Sequence, residues 1–357
     1  MKRIFVFLLV LAEFITLFGC GEKETLEPIS SSPSVSRMVS DSSPLETNQS
    51  AAVCMGSVSH PVHRIVQLGF MEKAEELGYE GHILGLSEGS AQELYDCWLA
   101  GAQEHDIAGA VCWVGDDSAY EFLKELHGMG VKTVVPHFAH DYMETKDFID
   151  VNLYYDSNAL AETVADYLGK KLRNAGIQSG GIGVTVGNLS VSHEKEEAFQ
   201  QYMANRYPEF TILDIAEEGM DRPDHSVANY IKDNPDIVAA FGTANTSVQA
   251  WAQAKEETGR GDIIVVGCEY ILDSLYTLRS GKVDALVAIP LYEDGYTGME
   301  LIDHMLHGKN YSASESLWRY NLKPDLIYIG GQGMHDPHIY TDMYTRSKVR
   351  FGNSEKS

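Results

Sequence analysis

Two short histidine pairs, His60-x-x-His63 and His137-x-x-His140, are the first residues in this 357-residue chain whose type and spacing suggest chemistry. Imidazoles on two loops that face each other offer either of two chemistries. Together with Glu269 they would supply the nitrogens and oxygen of a zinc, copper or nickel shell. As neutral rings they would instead donate and accept hydrogen bonds to a small polar molecule. Trp113 adds a flat face that packs against the C–H side of a ring, and His193, Lys195, Asn245 and Glu269 add donors and acceptors. Motifs that would signal catalysis are missing: no Gly-x-Ser-x-Gly elbow, no His-Glu-x-x-His and no Gly-x-x-x-x-Gly-Lys-Ser phosphate loop occurs. Gly180-Gly181-Ile182-Gly183 has the wrong order around its strand for a dinucleotide fingerprint, and close helix–strand packing accounts for it.

Elements with a common geometry must bring these residues together. From residue 52 short apolar runs alternate with amphipathic stretches, the pattern of βαβ units around a parallel sheet. Strands are expected at 52–55, 81–84, 108–114, 131–135, 182–186, 211–215, 237–241, 263–266 and 285–289. Helices are expected at 62–77, 91–104, 119–129, 194–206, 224–233, 246–258 and 271–280, with Gly78 and Gly130 as C-terminal stops. Lys170, Lys171 and Arg173 read as a solvated helix end, where cations complement the dipole. In open parallel sheets ligands bind beyond the carboxyl ends of the strands. The segments in that position are 57–63, Cys112-Trp113, 136–141, 188–195, 243–245, Cys268-Glu269-Tyr270 and Pro290-Leu291-Tyr292. Their shared placement makes one cleft lined by imidazole and aromatic side chains the expected site.

Composition narrows the function classes. Hydrophobic residues make up 44% and charged residues 22%, as in a soluble globular body, and 52 acidic residues against 27 basic ones give a net charge of −25. That field repels phosphate backbones, so nucleic acid is not an expected partner. No apolar run reaches the roughly 18–20 residues of a spanning helix. The start, Met1-Lys2-Arg3 followed by an apolar segment and Leu17-Phe18-Gly19-Cys20, has the layout of a secretory signal ending in a lipobox, although Glu13 interrupts the apolar core and Phe18 replaces a small residue. Cys20 is thus the expected lipidation site, and the serine- and proline-rich residues 20–51 the expected tether. The other cysteines are widely spaced and read as small hydrophobes, with a Cys54–Cys112 pairing left open.

From Val53 to about Leu306 the chain resembles the type I periplasmic binding proteins, especially the ribose-binding branch. His60-Pro61-Val62-His63, Gly69 and Glu75-Glu76-Leu77-Gly78-Tyr79 match the family's Asn-Pro-Phe-Phe, Gly and Leu-Gly-Tyr. Gly130 to Val135, Asn234 to Ile237, Ile264 to Glu269, and Gly281 to Ala285 with Tyr292 and Gly295 match its Gly-Ile-Pro-Val-Val, Pro-Asp-Ile, Val-Val-Gly-Phe-Asp and Gly-Lys-Leu-Asp-Ala segments. The resemblance implies an α/β fold of two doubly wound parallel-sheet lobes joined by three crossovers and closing over a ligand. It divides the chain into signal 1–19, tether 20–51, a first lobe of 52–153 plus 290–322, a second of 154–289 plus 323–335, and a tail, 336–357, without a counterpart.

Family binding positions transfer with substitutions. His60 stands at a sugar-binding Asn, Val62 and His63 at two ring-sandwiching aromatics, and His137 and Glu269 at hydroxyl-binding Asp residues. Lys195 stands at a cleft Arg, Asn245 at an Asp and Ile289 at a Gln. Trp113 is expected to supply the stacking face that Val62 lacks. The implied protein is a non-enzymatic, extracytoplasmic lipoprotein needing no cofactor, which passes a sugar or sugar-like ligand to an ABC permease. Its alternatives are a sensor feeding a histidine kinase or chemoreceptor, and a non-sugar or metal-assisted ligand. A regulator of the lactose-repressor kind would carry a basic helix-turn-helix where the signal and tether stand.

Overall fold

The computed structural model describes residues 49–115, 117–187, 190–217, 223–308 and 319–352. The expected signal, Cys20, the tether up to residue 48, and Asn188 lie outside them. The chain runs β1 (Ser50–Cys54), α1 (Pro61–Leu77), β2 (Glu80–Leu84), α2 (Ala91–Glu104), β3 (Ile107–Cys112), α3 (Tyr120–Gly128), β4 (Lys132–His137), α4 (Tyr142–Thr145) and β5 (Val151–Tyr155). It continues through α5 (Ser157–Asn174), β6 (Gly180–Val186), α6 (Ser190–Arg206), β7 (Phe210–Ile212), β8 (Ala216–Glu217), α7 (Pro223–Asp233), β9 (Ile237–Gly242), α8 (Ser247–Thr258), β10 (Ile264–Gly267), α9 (Leu272–Arg279) and β11 (Ala285–Ala288). It ends with α10 (Leu291–Leu306), β12 (Arg319–Leu322), β13 (Asp325–Ile327) and α11 (Pro337–Phe351).

Two sheets result. The first has the order β12-β5-β4-β3-β1-β2 and is parallel throughout. The second has the order β13-β11-β10-β9-β6-β7, with β8 also on β6, and only β13 runs antiparallel to its neighbour. Helices cover both faces, so strands such as β9 and β10 are apolar along nearly their whole length. The chain leaves the first sheet after β5, returns through α10 to β12, and leaves again for β13, which makes three crossings. Each sheet with its helices is one lobe.

One helix crossing sets the geometry of the first lobe. Pro61 opens α1 and a left-handed Gly78 closes it, its N–H reaching the carbonyls of Ala74 and Glu75. Midway, a Cβ on Gly69 would overlap the Tyr292 carbonyl, and a Cβ on Gly295 would overlap the Val66 carbonyl. The backbones of α1 and α10 therefore touch, and this contact fixes His63 and Asp294 relative to the first sheet, which both helices pack against.

Several expectations are revised. β5 was not anticipated, β1 starts at Ser50, and the strand expected at 211–215 is split between β7 and the two-residue β8, each paired with β6. Within the expected tail, Pro337–Phe351 form α11, which packs on α1 and α9. Cys54 and Cys112 are register neighbours on β1 and β3, and both are buried free thiols. Lys171 and Arg173 close α5 as expected but are ion-paired, with Asp284 at 2.8 Å and Glu209 at 2.6 Å. Among the described residues no helix is long and apolar enough to cross a membrane.

Candidate functional site

Loops after the first-lobe strands carry a continuous series of rings. The ring of His60, the residue preceding α1, lies 5.0 Å from that of His63, and His63 lies 5.3 Å from Trp113. Trp113 stacks on His137 at 4.3 Å and 29°, and His137 meets Tyr155 edge-on at 5.1 Å. His63 is held by the Ser57 backbone, its Nδ1 lying 3.1 Å from the nitrogen and 2.8 Å from the oxygen. Burial pulls its pKa down to about 4, the Ser57 bond opposing and His60 adding to the shift, so the ring is neutral at neutral pH.

His137 ends β4 with a left-handed backbone, φ 77°, unusual for a residue with a side chain and a sign of local strain. Its Nδ1 shares a 3.1 Å hydrogen bond with Oδ2 of Asp294, a fully buried residue in the first turn of α10. Burial, reinforced by Lys195 and His63, pushes the imidazole well below its ordinary range. Burial, with Glu293 and then Glu269, pushes Asp294 well above the usual carboxylate range.

The second lobe answers with Lys195 on α6, only 2% exposed. Its ammonium lies 3.4 Å from the Thr243 carbonyl beyond β9 and 6.0 Å from the centre of the Tyr155 ring. Burial alone would weaken its hold on the proton, but the surrounding Tyr155, Cys268 and Glu269 more than offset this and keep it above the ordinary lysine range. Glu269, just past β10, is pushed up by burial and pulled back by Lys195. The two lobes thus meet along the series Asp294, His137, Tyr155, Lys195, Thr243. Along it Asp294 Oδ1 and Thr243 Oγ1 are buried without a hydrogen-bond partner in the protein, and Tyr155 Oη is buried beside the Lys195 ammonium. A cavity of about 150 Å³ opens beside it, lined by His137, Phe138 and Tyr155 from the first lobe and Glu194 from the second.

Of the residues expected at the site, His60, His63, Trp113 and His137 come together, and Lys195 and Glu269 face them from the other lobe. Val62 is buried in α1 and Ile289 is sealed in the core, while His193 and Asn245 are exposed and stand outside this series. His140 does not join the other imidazoles. Its Nε2 bonds the Val114 carbonyl at 3.1 Å and its Nδ1 bonds Tyr120 Oη at 3.0 Å, both within the first lobe. The facing arrangement that made a metal shell attractive is therefore absent, and among the described residues no group of His, Cys, Asp or Glu is placed to hold a metal ion. Two central residues escaped the sequence reading. Tyr155 ends the unanticipated β5, although the Asp156 cap that follows it, its side chain accepting from Asn158 N–H at 2.8 Å, signals a strand-to-helix junction. Asp294 looks like an ordinary acid in a first helical turn, and only its neighbour Gly295 hints at burial.

A sheet-and-helix lobe pair with a polar interlobe cleft defines a two-lobed binding protein. The chain belongs to the periplasmic binding protein domain family, whose match spans residues 51–310. The ribose import binding protein of Salmonella typhimurium is 23% identical over 266 residues, covering 73% of this chain and 86% of that relative. Among solved structures, a carbohydrate transporter solute-binding protein from Agrobacterium radiobacter in complex with D-arabinose is similar at TM-score 0.65 and 18% identity, over 83% of this chain and 98% of that one. A XylFII–LytSN complex is similar at TM-score 0.59 and 19% identity, over 79% and 98%. The family and these relatives are binding proteins, and the chain is a substrate-binding protein and not an enzyme.

Proposed function

We propose that this protein captures a sugar or sugar-like polyol between its lobes and delivers it to an ABC-type permease. The observation that supports this most is the pair of buried oxygens without protein partners, Asp294 Oδ1 and Thr243 Oγ1, on the series that runs beside the Trp113–His137 stack. Buried polar atoms left unpaired cost roughly 1–3 kcal/mol each, a cost that a ligand hydroxyl removes. A pyranose or furanose matches both halves of such a site, hydroxyls toward the oxygens and a C–H face toward the indole. The ribose and D-arabinose relatives point the same way.

In this reading the first lobe is β1 to β5 with α10 and β12, the second β6 to β11 with β13, the first switch of lobe falling after Tyr155 and not after residue 153, and ligand shifts a hinge equilibrium toward the closed form. Cys20 carries lipid chains, each buried CH₂ contributing about 0.8 kcal/mol, so that the body works tethered at a membrane surface. His60, His63, Trp113, His137, Lys195 and Glu269 form the binding set, joined by Asp294 and Tyr155. A second reading is that the closed form is read by a partner protein and nothing is transported, in line with the likeness to XylFII in complex with LytSN.

The test is a thermal-shift and calorimetric screen of the full-length protein in detergent against D-ribose, D-arabinose, other sugars, nucleosides and zinc. A sugar at about 100 times its dissociation constant adds about 2.7 kcal/mol of stability. A shift with a sugar supports the reading, and no shift with any sugar removes it. Loss of uptake of that sugar in a deletion strain supports import, and unchanged uptake overturns it in favour of sensing.

A further inference from the structure

The C-terminal helix has a place in the cleft that neither lobe's own elements fill. α11 lies across both lobes. On the first, Arg346 clasps Glu72 of α1 at 2.5 and 2.7 Å, and Arg350 reaches Glu75 at 3.1 Å. On the second, Tyr340 packs edge-on against Tyr270 at 4.6 Å, next to Glu269. Between these anchors the helix roofs a cavity of about 230 Å³. Its other walls are Ser59 and Arg64, which flank the start of α1, and Ile271 and Asp273, at the start of α9. Ser59 and Pro61 flank His60, and Ile271 follows Glu269 by two residues, so this cavity is walled by chain that adjoins the cleft residues of both lobes.

Tyr340 and Tyr344 stand one turn apart on α11 and are both buried, 3% and 4% exposed. Their hydroxyls differ. Tyr340 donates to the Met334 carbonyl at 2.9 Å, as a buried phenol ordinarily does. Tyr344 lines the cavity, and its Oη is buried with no partner in the protein. Burial, with the carboxyl of Glu269 adding to it, raises the phenol's pKa.

Building on the sugar-binding reading, we propose that α11 is a third wall of the ligand cleft and that Tyr344 contributes its hydroxyl to the bound ligand beside Glu269. A lone unpaired phenol in a dry site is a donor and acceptor waiting for a complementary group, and a sugar hydroxyl supplies both functions. Because α11 touches both lobes, its tyrosine reaches the ligand only when the lobes are together. The contact therefore reports closure as well as composition.

The experiment is calorimetric titration of the full-length protein, wild type, Tyr344→Phe and Tyr340→Phe, with D-ribose and D-arabinose, and melting of each protein without sugar. Losing one hydrogen bond made in the complex lowers affinity roughly five- to tenfold. Tyr344→Phe is expected to show that loss with an unchanged or higher melting temperature, because it removes an unpaired buried hydroxyl. Tyr340→Phe is expected to melt lower with affinity within about twofold of wild type, because its hydroxyl is already committed to the Met334 carbonyl and does not line the cavity. Wild-type affinity in Tyr344→Phe overturns this proposal alone. No heat from either sugar with the wild type overturns the sugar-binding reading and this proposal together.

Discussion

Acid should loosen this protein through His63, and the size of the effect follows from its surroundings. The imidazole is largely enclosed by Ser57, His60 and Trp113, and its pKa in the folded state is about 4 against 6.5 when exposed. Between those values the unfolded chain holds a proton that the folded chain does not, so stability present above pH 6.5 is lost as pH falls toward 4. Each pH unit in that window is worth about 1.36 kcal/mol, so moving from pH 7 to pH 5 removes about 2 kcal/mol through this one ring. His60 and His137 are displaced in the same direction and add to the loss. The assay is urea unfolding followed by tryptophan fluorescence at pH 7 and pH 5, for wild type and His63→Phe. The phenylalanine variant forfeits the Ser57 bonds at both pH values, so that cost cancels in the comparison. Its loss between the two pH values should be smaller than that of wild type by about 2 kcal/mol. Equal losses would refute the argument that burial holds this ring neutral.

The helix crossing and the C-terminal clasp yield two further predictions. Gly295→Ala drives a methyl into the Val66 carbonyl, and the overpacking of α1 on α10 outweighs the gain in helix propensity, for a net loss on the order of 1–3 kcal/mol. Differential scanning calorimetry should show a lower melting temperature, and a rise would mean that the two backbones are not in contact. Arg346→Gln breaks the clasp on Glu72; with Arg346 40% exposed the cost should be no more than about 1 kcal/mol. It should vanish in 1 M salt, where the screening length is about 3 Å, and a salt-independent loss would point to packing as its source.

The architecture was largely legible because each apolar run is bounded by glycine, proline or a charged turn, and two-sided burial leaves parallel strands little room for polar interruptions. β5 was hidden by its content: Asn152, its second residue, is fully buried, its side chain bonding the Val135 and Phe138 carbonyls, so the run does not read as uniformly apolar. α11 was hidden by the opposite effect. Its arginines and threonines look like a solvated tail, and only the opposing Glu72 and Glu75, more than 270 positions away, give them a purpose. Within the site, the post-strand rule located the rings and the lysine, whereas Asp294 depends on an interhelical contact that no local pattern records. The same limit applies to His140, whose spacing from His137 matched that of a ligand pair until the Val114 carbonyl and Tyr120 claimed its two nitrogens.

The interleaved chain path also bears on how the molecule is made. Neither sheet is encoded by an uninterrupted stretch: β1 to β5 emerge first, yet the helix that seals them, α10, and their last strand, β12, follow almost the whole of the second sheet. A nascent chain that has released residue 155 therefore exposes the α1 groove around Gly69 and the open edge of β5 until residues 291–322 arrive. At roughly 5–20 residues per second that interval lasts on the order of ten seconds or more, long enough for unpaired strand edges to meet other chains. The second sheet waits as well, since β13 closes its edge only at residue 327. The two sheets thus gain their last strands within a few residues of each other, β12 at 319–322 and β13 at 325–327, so a chain that stops before β12 leaves both sheets without their final strand.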